Sequence, residues 1–130
     1  MKDNALIFIA DDDNDDVNLL TEYLKEQSSG VTCMPFHNGL VLINYLLVNE
    51  TERPDLIILD INMPVKNGFL TLHELKQHPE LSSIPVVMLS SSARQEDIKR
   101  CMDMGCSLYF TKPDSLWGYR ELVTKMLEAQ

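Results

Sequence analysis

The chain has 130 residues, of which 45% are apolar and 24% charged, as is typical of one globular domain rather than a disordered segment. Its 20 acidic and 11 basic residues give a formal charge of −9, which disfavours nucleic acids and membranes as partners. No apolar stretch resembles a signal peptide or could span a bilayer, so we expect a cytoplasmic protein with a single domain over residues 1–130.

Short apolar runs alternate along the chain with longer segments of helical periodicity, a pattern typical of βα units. After the first run, an acidic stretch in which Asn14 and Asp15 can cap a helix leads into a segment that ends near Gln27. The third run is apolar at every position, as expected for a central strand covered on both faces. The predicted strands are 6–10, 31–36, 56–59, 86–89 and 107–110, and the later helices are 40–49, 68–78, 95–104 and 115–129.

Five βα units in so short a chain predict an α/β fold with a parallel sheet and helices on both faces, because parallel strands require crossover connections. The periodicity does not give the order of the strands. In a doubly wound sheet, ligands collect beyond the carboxyl ends of the strands, where the strand order reverses. The candidate functional residues are therefore those that follow the strands.

Charged and polar residues follow four of the five predicted strands. An acidic triplet, 11–13, follows the first strand, and Asp60, Ser90 and Lys112 follow the third, fourth and fifth. Crowded carboxylates raise one another's pKa unless a cation neutralises them, and oxygen ligands of this kind suit Mg²⁺. Because Mg²⁺ is often held by one or two carboxylates and a phosphate oxygen, the pattern indicates a magnesium site for a phosphoryl group, with Lys112 balancing the charge.

The motifs resemble those of the response-regulator receiver family, in its single-domain, chemotaxis-regulator-like form. The matching segments are Ala10-Asp11-Asp12, Leu59 to Pro64 with Gly68, Leu89-Ser90-Ser91, and Gly105 through Tyr109 to Lys112-Pro113. They span nearly the whole chain and lie at the ends of four strands in the family's order. The resemblance implies a flavodoxin-like, doubly wound (βα)5 fold with strand order 2-1-3-4-5.

The resemblance also implies which residues hold the phosphoryl group and the metal. Asp60 corresponds to the aspartate that is phosphorylated. Asp11 and Asp12 correspond to the acidic pair that holds Mg²⁺ together with Asp60, and Asn62 corresponds to the residue that offers its backbone carbonyl to the metal. Three further acids are assigned to the start of the first helix, as charges or caps outside the site: Asp13, Asp15 and Asp16.

Three residues of the second half correspond to groups that sense the phosphoryl group. Ser90 corresponds to the hydroxyl that contacts it, and Lys112 to the ammonium group that pairs with it before Pro113, whose preceding peptide bond is often cis in the family. Tyr109 corresponds to the switch aromatic. Two other interpretations stay open: any serine of 90–92 can cap the next helix, and Tyr109 can have a purely packing role.

The function implied is that of a stoichiometric phosphoacceptor rather than an enzyme with a separate substrate. A sensor histidine kinase or a histidine phosphotransfer protein would donate the phosphoryl group, and the chain would catalyse its own phosphorylation and dephosphorylation with Mg²⁺ as cofactor. A downstream protein would bind the face made by the fourth helix, the fifth strand and the fifth helix. We expect no role for nucleic acid or membrane.

Two other classes of protein use similar residues. A small Mg²⁺-dependent phosphatase is disfavoured because the chain has no room for a cap domain and has Asn62, not a second aspartate, two residues after Asp60. A flavodoxin-like nucleotide-binding module is disfavoured because no glycine-rich loop follows the first strand. The cysteines are predicted to be reduced core thiols, and the histidines surface or packing residues: Cys33, Cys101, Cys106, His37, His73 and His78.

Overall fold

A computed structural model describes residues 2–130 of the chain. The strands are β1 (Leu6–Ala10), β2 (Thr32–Phe36), β3 (Leu56–Leu59), β4 (Val86–Ser90) and β5 (Leu108–Thr111). The helices are α1 (Asn14–Gln27), α2 (Gly39–Val48), α3 (Gly68–Gln77), α4 (Gln95–Asp103) and α5 (Leu116–Glu128). The strands form one parallel sheet in the order β2-β1-β3-β4-β5, which confirms the predicted fold class and the strand order that the resemblance implied.

The start of α1 lies one or two residues before its predicted position. Asp13, rather than Asn14 or Asp15, is the N-cap, and its carboxylate accepts hydrogen bonds from the backbone N–H groups of Asp15 at 3.0 Å and Asp16 at 3.2 Å. The first N–H groups of a helix have no partners inside the helix, and the Asp13 carboxylate satisfies two of them. Its negative charge also interacts favourably with the positive end of the helix dipole. The assignment of Asp13 to the helix start is thereby confirmed.

The side chains of β1 alternate between two separate hydrophobic clusters. Ile7 and Ile9 pack in a cluster with residues of α1 and α5, whereas Phe8 and Ala10 pack in a cluster with residues of α2, α3 and α4. This alternation follows from the two-residue period of a strand. The sheet is therefore buried on both faces. The chain runs from β1 outwards to β2 and then returns to β3 on the other side of β1, so the strand order reverses between β1 and β3.

Most of the cysteines and histidines lie where the sequence predicts them. Cys101 and Cys106 are buried in the cluster with α2, α3 and α4, as predicted, but Cys33 on the edge strand β2 is only half-buried; all three thiols are free. His37 and His73 are exposed and His78 is half-buried at the end of α3. Between residues 2 and 130, no helix has the length and apolar content needed to cross a membrane.

The loop between β3 and α3 is held by a close backbone approach at Gly68. Its N–H donates to the carbonyl of Ile61 at 2.8 Å. A Cβ atom at this position would lie 2.2 Å from the carbonyl oxygen of Asp60, so a larger residue would displace the backbone that carries Asp60. The start of α3 is therefore fixed directly against the end of β3.

Val65, in the same loop, has a strained backbone. Its φ is +67°, a left-handed conformation that β-branched residues rarely adopt, and the N–H of Lys66 donates to the carbonyl of Pro64 at 2.7 Å across it. This is the γ-turn with positive φ, the strained form of that turn. The Val65 side chain is 75% exposed, so packing does not compensate for the strain, which costs roughly 1–3 kcal/mol.

We expect Val65→Gly to raise the free energy of unfolding by about 0.5–1 kcal/mol, because glycine adopts positive φ without strain, although it adds entropy to the unfolded chain. Urea unfolding measures this change. Val48→Gly is the matched control, since Val48 is also exposed but lies at the end of α2, and it should lower the stability. Equal losses of stability in both variants would contradict the strain at Val65.

Candidate functional site

An acidic cluster forms where the carboxyl ends of β1 and β3 meet. The two strands are in register up to Ala10 and Leu59, so Asp11 and Asp60 follow at neighbouring positions, and the N–H of Asp60 donates to the carbonyl of Ala10 at 2.9 Å. One carboxylate oxygen from each of Asp11, Asp12 and Asp60 lies within 4.8 Å of the others. The sheet thus brings together three of the acids predicted for the site.

The buried carboxylates of this cluster are destabilised in their charged form. Asp60 is only 5% exposed, and burial, together with the charge of Asp11, raises its pKa to about 6. Burial also raises the pKa of Asp11. Within residues 2–130, Asp60 Oδ1 is the buried side-chain oxygen that lacks a hydrogen-bond partner. An unpartnered buried carboxylate oxygen beside two further carboxylates, with Asp12 open to solvent, fits a hard divalent cation.

Lys112 brings a positive charge to the cluster from the end of β5. Its Nζ lies 2.9 Å from Asp11 Oδ2, 2.8 Å from Asp16 Oδ2 and 3.5 Å from Asp60 Oδ2. Burial lowers the pKa of Lys112, but the hydrogen bonds to Asp16 and Asp11 outweigh this effect and raise the pKa above its ordinary value. The ammonium group therefore stays charged at neutral pH and partly neutralises the acids.

Asp16 lies at the cluster, contrary to the sequence-based assignment that placed it outside the site. It is the third residue of α1, whose first turn Asp13 caps, and its carboxylate contacts Lys112. No spacing in the sequence indicated this position, because Asp11 and Asp12 precede the helix that carries Asp16. Asp16 is not part of the acidic group suited to a metal, whereas Asp13 and Asp15 remain exposed at the helix start.

Asn62 follows Asp60 by two residues in the β3–α3 loop. Its side chain is exposed, and its backbone lies beside the carboxyl group of Asp60, where it lowers the pKa of that group against the larger effect of burial. The loop thus keeps the backbone of Asn62 close to the cluster, while its side chain makes no contribution there.

Ser90 and Tyr109 meet at a residue that the sequence did not single out, Ser92. Ser90 is fully buried at the end of β4, and its hydroxyl accepts a hydrogen bond from the N–H of Ser92 at 3.3 Å. The hydroxyl of Tyr109 donates to the carbonyl of Ser92 at 2.7 Å, while its ring is half-buried against the cluster on the α2–α4 side. The Ser92 hydroxyl in turn donates to the Asp97 side chain of α4 at 2.6 Å. The N-cap of α4 is Arg94 and makes no side-chain cap hydrogen bond, so none of the serines at 90–92 caps that helix.

The peptide bond between Lys112 and Pro113 is trans, as are all peptide bonds in the described part of the chain, so the cis bond that the resemblance suggested is not found. The trans form of such a bond is the more stable isomer by about 0.5–1 kcal/mol. The backbone N–H of Lys112 donates to the carbonyl of Ser90 at 2.7 Å, which holds the end of β5 against β4 in this conformation.

Comparison with known proteins finds one family and close structural neighbours. Residues 7–125 match the response regulator receiver domain. The response regulator Rcp1 of a Synechocystis species is 32% identical over 115 residues, which cover 85% of this chain and 78% of that protein.

Two solved structures share the fold over almost the full chain. The phosphorylated cyanobacterial phytochrome response regulator RcpA is 33% identical with a TM-score of 0.89, and the match covers 95% of this chain and 91% of that one. The Mn²⁺-bound form of Rcp1 is 30% identical with a TM-score of 0.86, and the match covers 94% of this chain and 91% of that one.

The raised pKa of Asp60 predicts that Asp60→Asn stabilises the metal-free protein at pH 7.5. The unfolded chain ionises this carboxyl group near pH 4 and the folded chain near pH 6, so ionisation opposes folding above pH 6. We expect the free energy of unfolding, measured in EDTA, to rise by about 1–3 kcal/mol, and the gain to shrink as the pH falls from 6 to 4.

Asp12→Asn is the control for this measurement, because the Asp12 carboxylate is exposed and its removal should change stability less. A loss of stability in Asp60→Asn at pH 7.5 would show that the attraction of Lys112 outweighs the burial of the Asp60 charge.

Proposed function

The chain belongs to the response regulator receiver family of two-component signalling, and on this premise we propose that it accepts a phosphoryl group on Asp60. The observation that carries the proposal is the position of Asp60 at the end of β3, with one buried oxygen unpartnered, between two further carboxylates and the Lys112 ammonium group. A nucleophile, a cation site and a fixed positive charge are thus adjacent.

Mg²⁺ is the cofactor in this proposal. The carboxylates of Asp11, Asp12 and Asp60 and the backbone carbonyl of Asn62 would hold it, and these oxygen ligands suit a hard cation that usually keeps several waters. When bound, Mg²⁺ supplies positive charge that stabilises the oxygens of a transferring phosphoryl group. The existence of a Mn²⁺-bound form of the relative Rcp1 supports a divalent ion as the cofactor.

The residues of the chain position the reacting groups. An Asp60 oxygen attacks phosphorus in line with the bond to the leaving group, so that an O–P bond forms as the bond to a histidine nitrogen or an acetate oxygen breaks. The Lys112 ammonium group and the Ser90 hydroxyl each donate to a phosphoryl oxygen and stabilise its charge.

The phosphoryl group on Asp60 is an acyl phosphate, which water can hydrolyse. The chain is thus a stoichiometric phosphoacceptor that promotes its own phosphorylation and dephosphorylation, and a sensor histidine kinase or a histidine phosphotransfer protein is the phosphoryl donor.

Incubation with acetyl phosphate and Mg²⁺ should add one phosphoryl group to the chain, measured by intact-protein mass spectrometry. Asp60→Asn should take none, whereas Asp13→Asn should be labelled normally because Asp13 caps α1 and is not in the cluster. EDTA should slow the labelling strongly. Unchanged labelling of Asp60→Asn would refute the assignment, and sustained turnover of acetyl phosphate far beyond one equivalent would favour a phosphatase.

In this proposal, phosphorylation of Asp60 changes the contacts of Ser90 and Tyr109. These changes alter the conformation of the face made by α4, β5 and α5, where a downstream protein binds. Ser90 and Tyr109 both hydrogen-bond Ser92, which also bonds to α4, so a movement of the Ser90 hydroxyl towards a phosphoryl oxygen disturbs all three contacts. Exposed apolar side chains on α4 and α5 support a protein partner there: Met102, Leu116 and Trp117.

We expect Ser90→Ala to leave Asp60 open to phosphorylation but to reduce the conformational response, because the hydroxyl that contacts the phosphoryl oxygen is lost. Amide NMR spectra with and without beryllofluoride, a phosphoryl mimic, measure the shifts around Tyr109 and residues 94–99. Ser91→Ala is the control, since Ser91 is exposed and should keep the wild-type response. A full wild-type response in Ser90→Ala would exclude Ser90 as the carrier of the signal.

A further inference from the structure

Carboxylates surround the ammonium group of Lys112, which hydrogen-bonds Asp16 and Asp60 and forms an ion pair with Asp11. An ammonium group has three donors, and three carboxylate oxygens lie around Nζ, those of Asp16 at 2.8 Å, Asp11 at 2.9 Å and Asp60 at 3.5 Å. A phosphoryl oxygen that contacts Lys112 therefore competes with these carboxylates for the ammonium group.

The three acceptors differ in what else they do. Asp11 and Asp60 belong to the acidic group that suits a metal ion, and Asp60 is the phosphoacceptor of the proposed function, so both have other partners in the loaded protein. Asp16 lies outside that group and has no competing partner there. It is consequently the carboxylate that can hold Lys112 both before and after phosphorylation.

The Asp16 carboxylate is itself fixed from α5. Oδ2 pairs with Lys112, while Oδ1 accepts a hydrogen bond from the hydroxyl of Tyr119 at 3.1 Å. Tyr119 is buried among side chains of α1 and α5, and burial together with the charge of Asp16 raises its pKa to about 12, so its hydroxyl remains a donor. The two oxygens of Asp16 thus have one partner each, and the carboxylate has little freedom to rotate.

We propose that Asp16 is a positioning residue that aims the Lys112 ammonium group at the phosphoryl group, and that Tyr119 holds Asp16 in the orientation this requires. The inference rests on the proposed function, because it takes the Lys112 contact with the phosphoryl group from it. It adds a path of two hydrogen bonds from that contact to α5, on the opposite side of the sheet from Tyr109.

The test compares the affinity for beryllofluoride at saturating Mg²⁺, measured by fluorine NMR, in the full-length wild type and in Asp16→Asn, Asp15→Asn and Tyr119→Phe. Asp15→Asn is a matched control, since it removes the same charge from the neighbouring position of the same helical turn. We expect the dissociation constant to rise about tenfold in Asp16→Asn, the effect of losing one hydrogen bond to a charged group, and less than about twofold in Asp15→Asn.

Tyr119→Phe removes only a hydroxyl and leaves the charge of the site unchanged. It should raise the dissociation constant by about two- to fivefold, and this effect should disappear in the Asp16→Ala background, because the hydroxyl acts through Asp16. A purely structural role of Tyr119 would instead give the same effect in both backgrounds.

Wild-type affinity in Asp16→Asn, or an equal loss in Asp15→Asn, would overturn the inference. These results are distinct from a failure of the proposed function, which would appear as beryllofluoride binding that survives Asp60→Asn. If Asp16→Asn folds poorly, Tyr119→Phe alone decides, and wild-type affinity in that variant would refute the arrangement.

Discussion

The ion pairs between Lys112 and the acids at the ends of β1 and β3 are the constraint on which the rest of the structure depends. Buried carboxylates remain charged only where a cation compensates them, and Lys112 reaches them from β5, across the end of β4. This approach requires the five strands to end at one level and in one order. The two hydrophobic clusters, which bury both faces of the sheet, stabilise that order.

The sequence was sufficient for the elements and for the meeting of Asp11, Asp60 and Lys112 at one edge of the sheet, because both depend on local patterns and on which residues follow the strands. The all-apolar run before Asp60 indicated a central strand, and the polar residues that follow the strands indicated one functional edge. No observed boundary differs from its predicted position by more than two residues. The order of the strands came only from the family resemblance, since it is set by contacts between residues far apart in the chain.

The residues that were misassigned or missed are those whose role depends on the direction of a side chain. Asp16 was assigned to the helix start, and only the orientation of α1 shows that it faces Lys112. Ser92 looked like one serine of a polar loop, yet its carbonyl and hydroxyl connect Tyr109 to α4. The positive φ of Val65 was equally invisible, because no residue type predicts strain that the surrounding loop imposes.

The unpartnered oxygen of Asp60 has a consequence for the lifetime of the protein in a cell. A ligand that binds only the folded state raises the free energy of unfolding in proportion to the logarithm of its concentration, so a cation at this site also acts as a folding ligand. Proteases cleave chains that have opened, and copies without the cation open more often. If a divalent ion occupies the proposed site, a copy that loses the ion is degraded sooner than one that keeps it, and the abundance of the protein then depends on the supply of that ion.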